Sequence, residues 1–170
     1  EDPGAARSAL ATRADTVVGI RTLIHDRPDP DWVLSQGFSG GLDALTERRL
    51  PFDFVTTSPD ALGRLDRIAG EHRASTFVLD HLAKPPIGDD ARAWESWERA
   101  LRTTAANENV VAKVSGLYAA VGPWDSWTQS DVDRAVSVAV DAFGPERLLY
   151  GGDWPMSTRA GGYERALDAI

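Results

Sequence analysis

Residues 77–85 read FVLDHLAKP, and residues 148–155 read LLYGGDWP. Both are short β-rich runs that end in a titratable side chain, His81 in the first and Asp153 in the second, followed at once by a proline turn. Three further runs share this form: Val17 to Ile24, Phe52 to Val55 and Val110 to Ser115, so that with Thr76 to Leu79 and Leu148 to Gly151 the chain contains five expected strands. Amphipathic stretches lie between them. Ser58-Pro59 opens one helix as N-cap and first-turn proline, with Leu62, Leu65 and Ile68 on one face. Asp89 or Asp90 caps the next, where Trp94, Trp97 and Leu101 recur at helical spacing. Ser130 and Asp133 resemble a capping box ahead of the stripe Val132, Val136, Val140 and Phe143, which Gly144-Pro145 ends. Helices are also expected over Ala5 to Arg13 and Leu42 to Arg48. Strands recurring every ~25–40 residues with a helix in each gap predict βαβ units and a parallel sheet.

Polar residues gather where these strands end: His25 and Asp26, Thr56 and Thr57, Asp80-His81 with Lys84, Ser115, and Asp153-Trp154. In a barrel and in a doubly wound sheet alike, ligands bind at that edge, because the βα loops converge there. A histidine at this position can bind a metal or polarise a carbonyl oxygen, and a neighbouring aspartate can take a proton from water. Glycines 151 and 152 are expected to let the backbone approach a ligand closely. Arg21 and Lys113 interrupt apolar strands, so each is expected to pair with an interior acid such as Asp53 or to touch substrate. Trp94, Trp97, Trp124 and Trp127 read as packing residues, and His72 reads as solvated surface.

With 170 residues, 42% hydrophobic and 26% charged, the chain suits one domain, here 1–170, with a sizeable core. A net charge of −8 argues against a nucleic-acid backbone or an anionic membrane as partner. No cysteine is present, which excludes thiolate chemistry. A cytoplasmic enzyme is the plain reading.

The strings FVLDHLAKPPI, NVVAKVSGLY and ERLLYGGDWPMS resemble the last strands of the amidohydrolase-related family of the amidohydrolase superfamily. Within it they are most similar to the sugar-lactone hydrolase group, and VVGIRTLIHDRPDPDWVL resembles that group's earlier strand and loop. The resemblance implies an α/β fold, a partial (β/α)8 TIM barrel of the metal-dependent hydrolase type with its last five βα units present. The family's first strand carries a His-x-His pair, and this sequence has histidines only at 25, 72 and 81. The expectation is therefore a barrel domain shortened at its N-terminal side. As implied by the family, His81 and Asp153 are the catalytic residues and also the ligands of any divalent cation, zinc first or manganese. Metal-free catalysis is equally admitted. His25, Arg21, Lys113, Ser115 and Trp154 are the expected substrate contacts. The implied reaction is opening of a sugar-derived lactone, a small-molecule substrate, by a monomer or a homo-oligomer. Two alternatives stand beside it: metal-dependent non-oxidative decarboxylation, and a catalytically inactive fragment or interaction module.

Overall fold

The computed structural model describes residues 2–13, 16–24, 27–87, 90–120 and 127–170. Five strands, β1 (Ile20–Leu23), β2 (Phe52–Val55), β3 (Phe77–Leu79), β4 (Val110–Val114) and β5 (Leu148–Tyr150), form one sheet. They are parallel and lie in chain order. Among the described residues six α-helices accompany them: α1 (Pro3–Ala11), α2 (Gln36–Thr46), α3 (Pro59–Glu71), α4 (Ala91–Ala105), α5 (Gln129–Phe143) and α6 (Gly162–Asp168). Sequential parallel order is what consecutive staves of a barrel give, and a doubly wound sheet would reverse it.

The sheet has two unlike faces. Phe52 and Phe54, Phe77 and Leu79, and Val110, Ala112 and Val114 are buried in one core with the apolar stripes of the helices. The alternating residues Arg21, Asp53 and Lys113 lie on the other face, the concave side of a barrel wall. Here Lys113 Nζ meets Asp53 Oδ2 at 2.7 Å and Asp80 Oδ1 at 2.8 Å, while Arg21 lies 3.6 Å from Asp80 Oδ2. The partner of Arg21 is thus Asp80, although Asp53 is its register neighbour on β2; Lys113 reaches across β3 and takes Asp53. Asp80 is only 1% exposed, and these two cations answer its charge.

Local signals explain most element boundaries. Asp2 caps α1 by accepting from the Gly4 and Ala5 amides, Ser35 caps α2 through the Phe38 amide, and Asp90 caps α4 through that of Ala93. At α5 the capping box lies two residues earlier than expected: the Asp131 carboxylate accepts from the amide and hydroxyl of Thr128. Its buried stripe is Val132, Ala135, Val138, Ala139 and Phe143, with Val140 exposed. Alanines allow the helix to sit close, so Val136 packs at the margin of the core and Val140 turns outward. His72 is not solvated: its Nε2 lies 3.1 Å from Ser39 Oγ, and Asn109 Nδ2 donates to its carbonyl. At the N-terminal ends of the strands, Asn109 also binds the carbonyls of Ala69 and Ser75, and the Arg147 guanidinium binds those of Phe143, Ala105, Asn107 and Val110. That end is knitted together by backbone contacts, and the opposite end holds His81 and Asp153.

Candidate active site

β3 runs directly into a turn of unusual hand. His81, Leu82, Ala83 and Lys84 have φ of 56, 50, 57 and 55°. Left-handed backbone costs a residue with a β-carbon roughly 1–2 kcal/mol, so four in succession need strong support. Leu82 and Ala83 supply it by burial, and Trp97 Nε1 donates to the Leu82 carbonyl at 2.8 Å. The turn thereby presents both His81 and Lys84 toward the end of β4. Asp153, after β5, also has a positive φ of 48°.

These two turns bring the predicted pair together. His81 Nε2 lies 3.7 Å from Asp153 Oδ1, with both side chains largely shielded from solvent. His81 Nδ1 lies 2.8 Å from Ser115 Oγ and 3.2 Å from the Ser115 carbonyl oxygen. A carbonyl only accepts, so Nδ1 carries the ring proton and the neutral ring offers a lone pair at Nε2. Burial, reinforced by the Lys84 charge, lowers the His81 pKa and favours that neutral ring, against the opposing pull of Asp153 and Asp80. Ser115 thus orients His81. Tyr118 donates its hydroxyl to Asp153 Oδ2 at 3.2 Å, and burial with the Asp153 charge raises its pKa, so it stays protonated.

Lys84 completes the group. Its Nζ donates to the Gly116 carbonyl at 2.8 Å, and burial lowers its pKa against the stabilising charges of Asp153 and Asp80. Gly116 has a φ of 59°, and a β-carbon there would lie 2.9 Å from His81 Nδ1 and 3.0 Å from Lys84 Nζ, and would collide with Asp153 Oδ2. Only glycine lets the three side chains close so tightly over the backbone there. At Gly151 and Gly152, where the sequence leads one to expect close approach to a ligand, the bare side is likewise met by protein. A β-carbon at Gly151 would press on Ser115, and one at Gly152 on the Tyr163 ring.

The other expected site residues divide. Lys113 is committed to Asp53 and Asp80, whereas Arg21 on the same concave face has a half-exposed side chain. Trp154 is 81% exposed beside Asp153. Trp94 and Trp97 stack edge-on at 5.2 Å, and Trp127 Nε1 donates to the Ala160 carbonyl, as packing residues do. His25, Asp26, Asp89 and Trp124 lie outside the described residues. Sequence reasoning missed Tyr118 and Gly116 and gave Lys84 no role. The signal available was the SGLY run directly after β4, at the strand end where chemistry was already expected.

Among the described residues, no three His, Asp or Glu side chains gather as a metal-binding group. His81 Nε2 and Asp153 Oδ1 do supply an imidazole and a carboxylate close together, the donor types that zinc takes, as two members of a ligand set.

Residues 1–170 match the amidohydrolase family. An L-fucono-1,5-lactonase of Burkholderia ambifaria is 36% identical over 84% of this chain and 48% of its own length. An L-fucono-1,5-lactonase of Burkholderia multivorans is 30% identical over 99% of the chain and 59% of its own. A crystal structure of an amidohydrolase from Burkholderia multivorans with bound HEPES superposes with a TM-score of 0.89 at 30% identity, covering 99% of this chain and 62% of that one. A second crystal form, with bound zinc, gives 0.85 over 96% and 61%. The chain therefore spans about half the length of the curated relatives it matches.

Proposed function

The chain belongs to the amidohydrolase family, and on that premise we propose that it carries the hydrolytic half of a sugar-lactonase site, with Asp153 as general base and His81 beside it. The observation behind the reading is the 3.7 Å approach of His81 and Asp153 at the C-terminal strand edge, in a chain similar to L-fucono-1,5-lactonases. Asp153, held by Tyr118, takes a proton from water as the water oxygen bonds to the lactone carbonyl carbon. The carbonyl π pair moves to oxygen. On collapse the ring C–O bond breaks, and the ring oxygen takes the proton back from Asp153, leaving the open hydroxy acid. Atoms balance as lactone plus water.

A divalent cation fits His81 and Asp153 as two of its ligands, and when bound it would polarise the carbonyl as a Lewis acid. His81 is in either case fixed by Ser115. In this reading the half-exposed Arg21 and the indole of Trp154 contact the sugar, and Lys113 keeps Asp80 and Asp53 neutralised. Two ligands are fewer than the three protein ligands a catalytic zinc takes, so residues 1–170 alone are expected to turn over little.

The test is product analysis with the full-length polypeptide. L-fucono-1,5-lactone and L-rhamnono-1,5-lactone are followed by NMR at neutral pH, corrected for spontaneous opening, beside aromatic carboxylic acids. The expected product is the hydroxy acid with every carbon retained. Release of carbon dioxide from an aromatic acid, with lactones untouched, would replace this reading by decarboxylation.

A further inference from the structure

Addition of water to a lactone carbonyl places a full negative charge on one oxygen, and a donor must face it. The two ring nitrogens of His81 are already engaged, Nδ1 with Ser115 and Nε2 turned to Asp153. The Tyr118 hydroxyl is directed at Asp153 Oδ2. Lys84 is different. Its ammonium has three N–H bonds, of which one goes to the Gly116 carbonyl, and it forms no direct ion pair with Asp153 or Asp80 among the described residues. It lies 3.0 Å from the point a β-carbon of Gly116 would take, which His81 Nδ1 and Asp153 Oδ2 also approach, so the three side chains cluster over this glycine. A cation with unspent donors therefore sits beside the base, where the two side chains close together over the bare Cα of Gly116.

We propose that Lys84 is a further catalytic residue, whose ammonium binds the lactone carbonyl oxygen and holds the oxyanion formed when water adds. The inference rests on the lactone reading and deepens it: the preferred ligand is a carbonyl compound that becomes anionic, and a fixed cation waits for that charge. Lys84 keeps its proton throughout, while the proton from water travels to Asp153 and then to the ring oxygen. The left-handed turn has a purpose in this account, because it brings residues 81 and 84, three apart, to the same side of Gly116.

Lys84→Met, Lys84→Gln and Lys84→Arg in the full-length protein separate this role from a structural clamp. Two measurements are needed: kcat and KM for L-fucono-1,5-lactone, and calorimetric affinity for two analogues of that ring. The analogues are its cyclic phosphonate, which carries the negative charge, and its neutral lactam. Lys84→Met is expected to lower kcat about 10²–10³-fold with little change in KM, and Lys84→Arg to restore part of it. Phosphonate affinity should fall in Lys84→Met while lactam affinity holds. Should Lys84→Met fail to fold, Lys84→Gln carries the same comparison with a neutral donor of similar size. An unchanged kcat, or equal weakening of phosphonate and lactam, overturns the assignment. A wild type that opens no lactone, yet loses phosphonate binding with Lys84→Met, overturns the lactonase reading and supports Lys84 as the partner of the anion.

Discussion

His81 ties stability to pH as well as carrying a proposed role in turnover. Its burial, with Lys84 nearby, lowers its pKa below the ordinary 6.5. Above pH 6.5 the folded and unfolded chains both hold a neutral ring, and its full contribution to stability is present. As pH falls from there through the depressed folded value, the unfolded chain binds a proton that the folded chain refuses, so stability is lost on acidification. His81→Gln removes that one linkage. Urea midpoints measured at pH 7.5, 6.5 and 5.5 should therefore fall less steeply in His81→Gln than in the wild type, and parallel slopes would contradict the burial described here. His81 and Asp153 were legible in the sequence because each is a titratable residue closing an apolar run before a proline. Tyr118 and Gly116 were not, since nothing in SGLY tells that a glycine will be the meeting point of three side chains from two other loops. Arg21 pairs with an interior acid as expected, and that acid is Asp80. Register puts Asp53 beside it, but the shorter Lys113–Asp53 contact claims that acid, and Arg21 turns to Asp80.

At the level of elements, chain direction and helix starts follow from residues that satisfy orphan amides, and the misplacements have local causes. α2 starts at Gln36, six residues ahead of the expected Leu42, because three glycines at 37, 40 and 41 hide a helix whose cap is Ser35. The left-handed turn 81–84 contains no glycine, so no sequence rule for positive φ could announce it. α2 closes in a related way. The Leu50 amide returns to the Leu45 carbonyl and that of Arg49 to Thr46, a Schellman arrangement that puts Arg49 at φ 56°. Glycine is the residue this position favours, and Arg49 is exposed and remote from Asp153. Arg49→Gly should raise unfolding stability by about 1 kcal/mol, with kcat unchanged. Denaturant titration checks the first and the lactone assay the second. A loss of stability would mean that the arginine side chain contributes more than its backbone costs.

For the molecule as a whole, strand-helix alternation was enough to predict five strands in a parallel sheet, because each helix returns the chain to start the next strand in the same direction. Pattern alone could not choose the barrel over a doubly wound sheet; the resemblance of three strand-end strings did, and the superposition at a TM-score of 0.89 agrees with it. The two ends of this wall do different work. Asn109 and Arg147 lock the N-terminal ends of the strands through backbone carbonyls, and the C-terminal ends bring His81, Lys84, Tyr118 and Asp153 into one cluster. The central claim is that Asp153 in this cluster is the base that activates water. The most direct measurement is kcat/KM for L-fucono-1,5-lactone with wild-type and Asp153→Asn full-length protein, matched for folding by circular dichroism. The account predicts a fall of about 10³-fold or more, since the amide keeps the shape and the hydrogen bond from Tyr118 but cannot take the proton. An Asp153→Asn protein within about tenfold of wild type would contradict it, because loss of a true general base costs at least ~10²-fold.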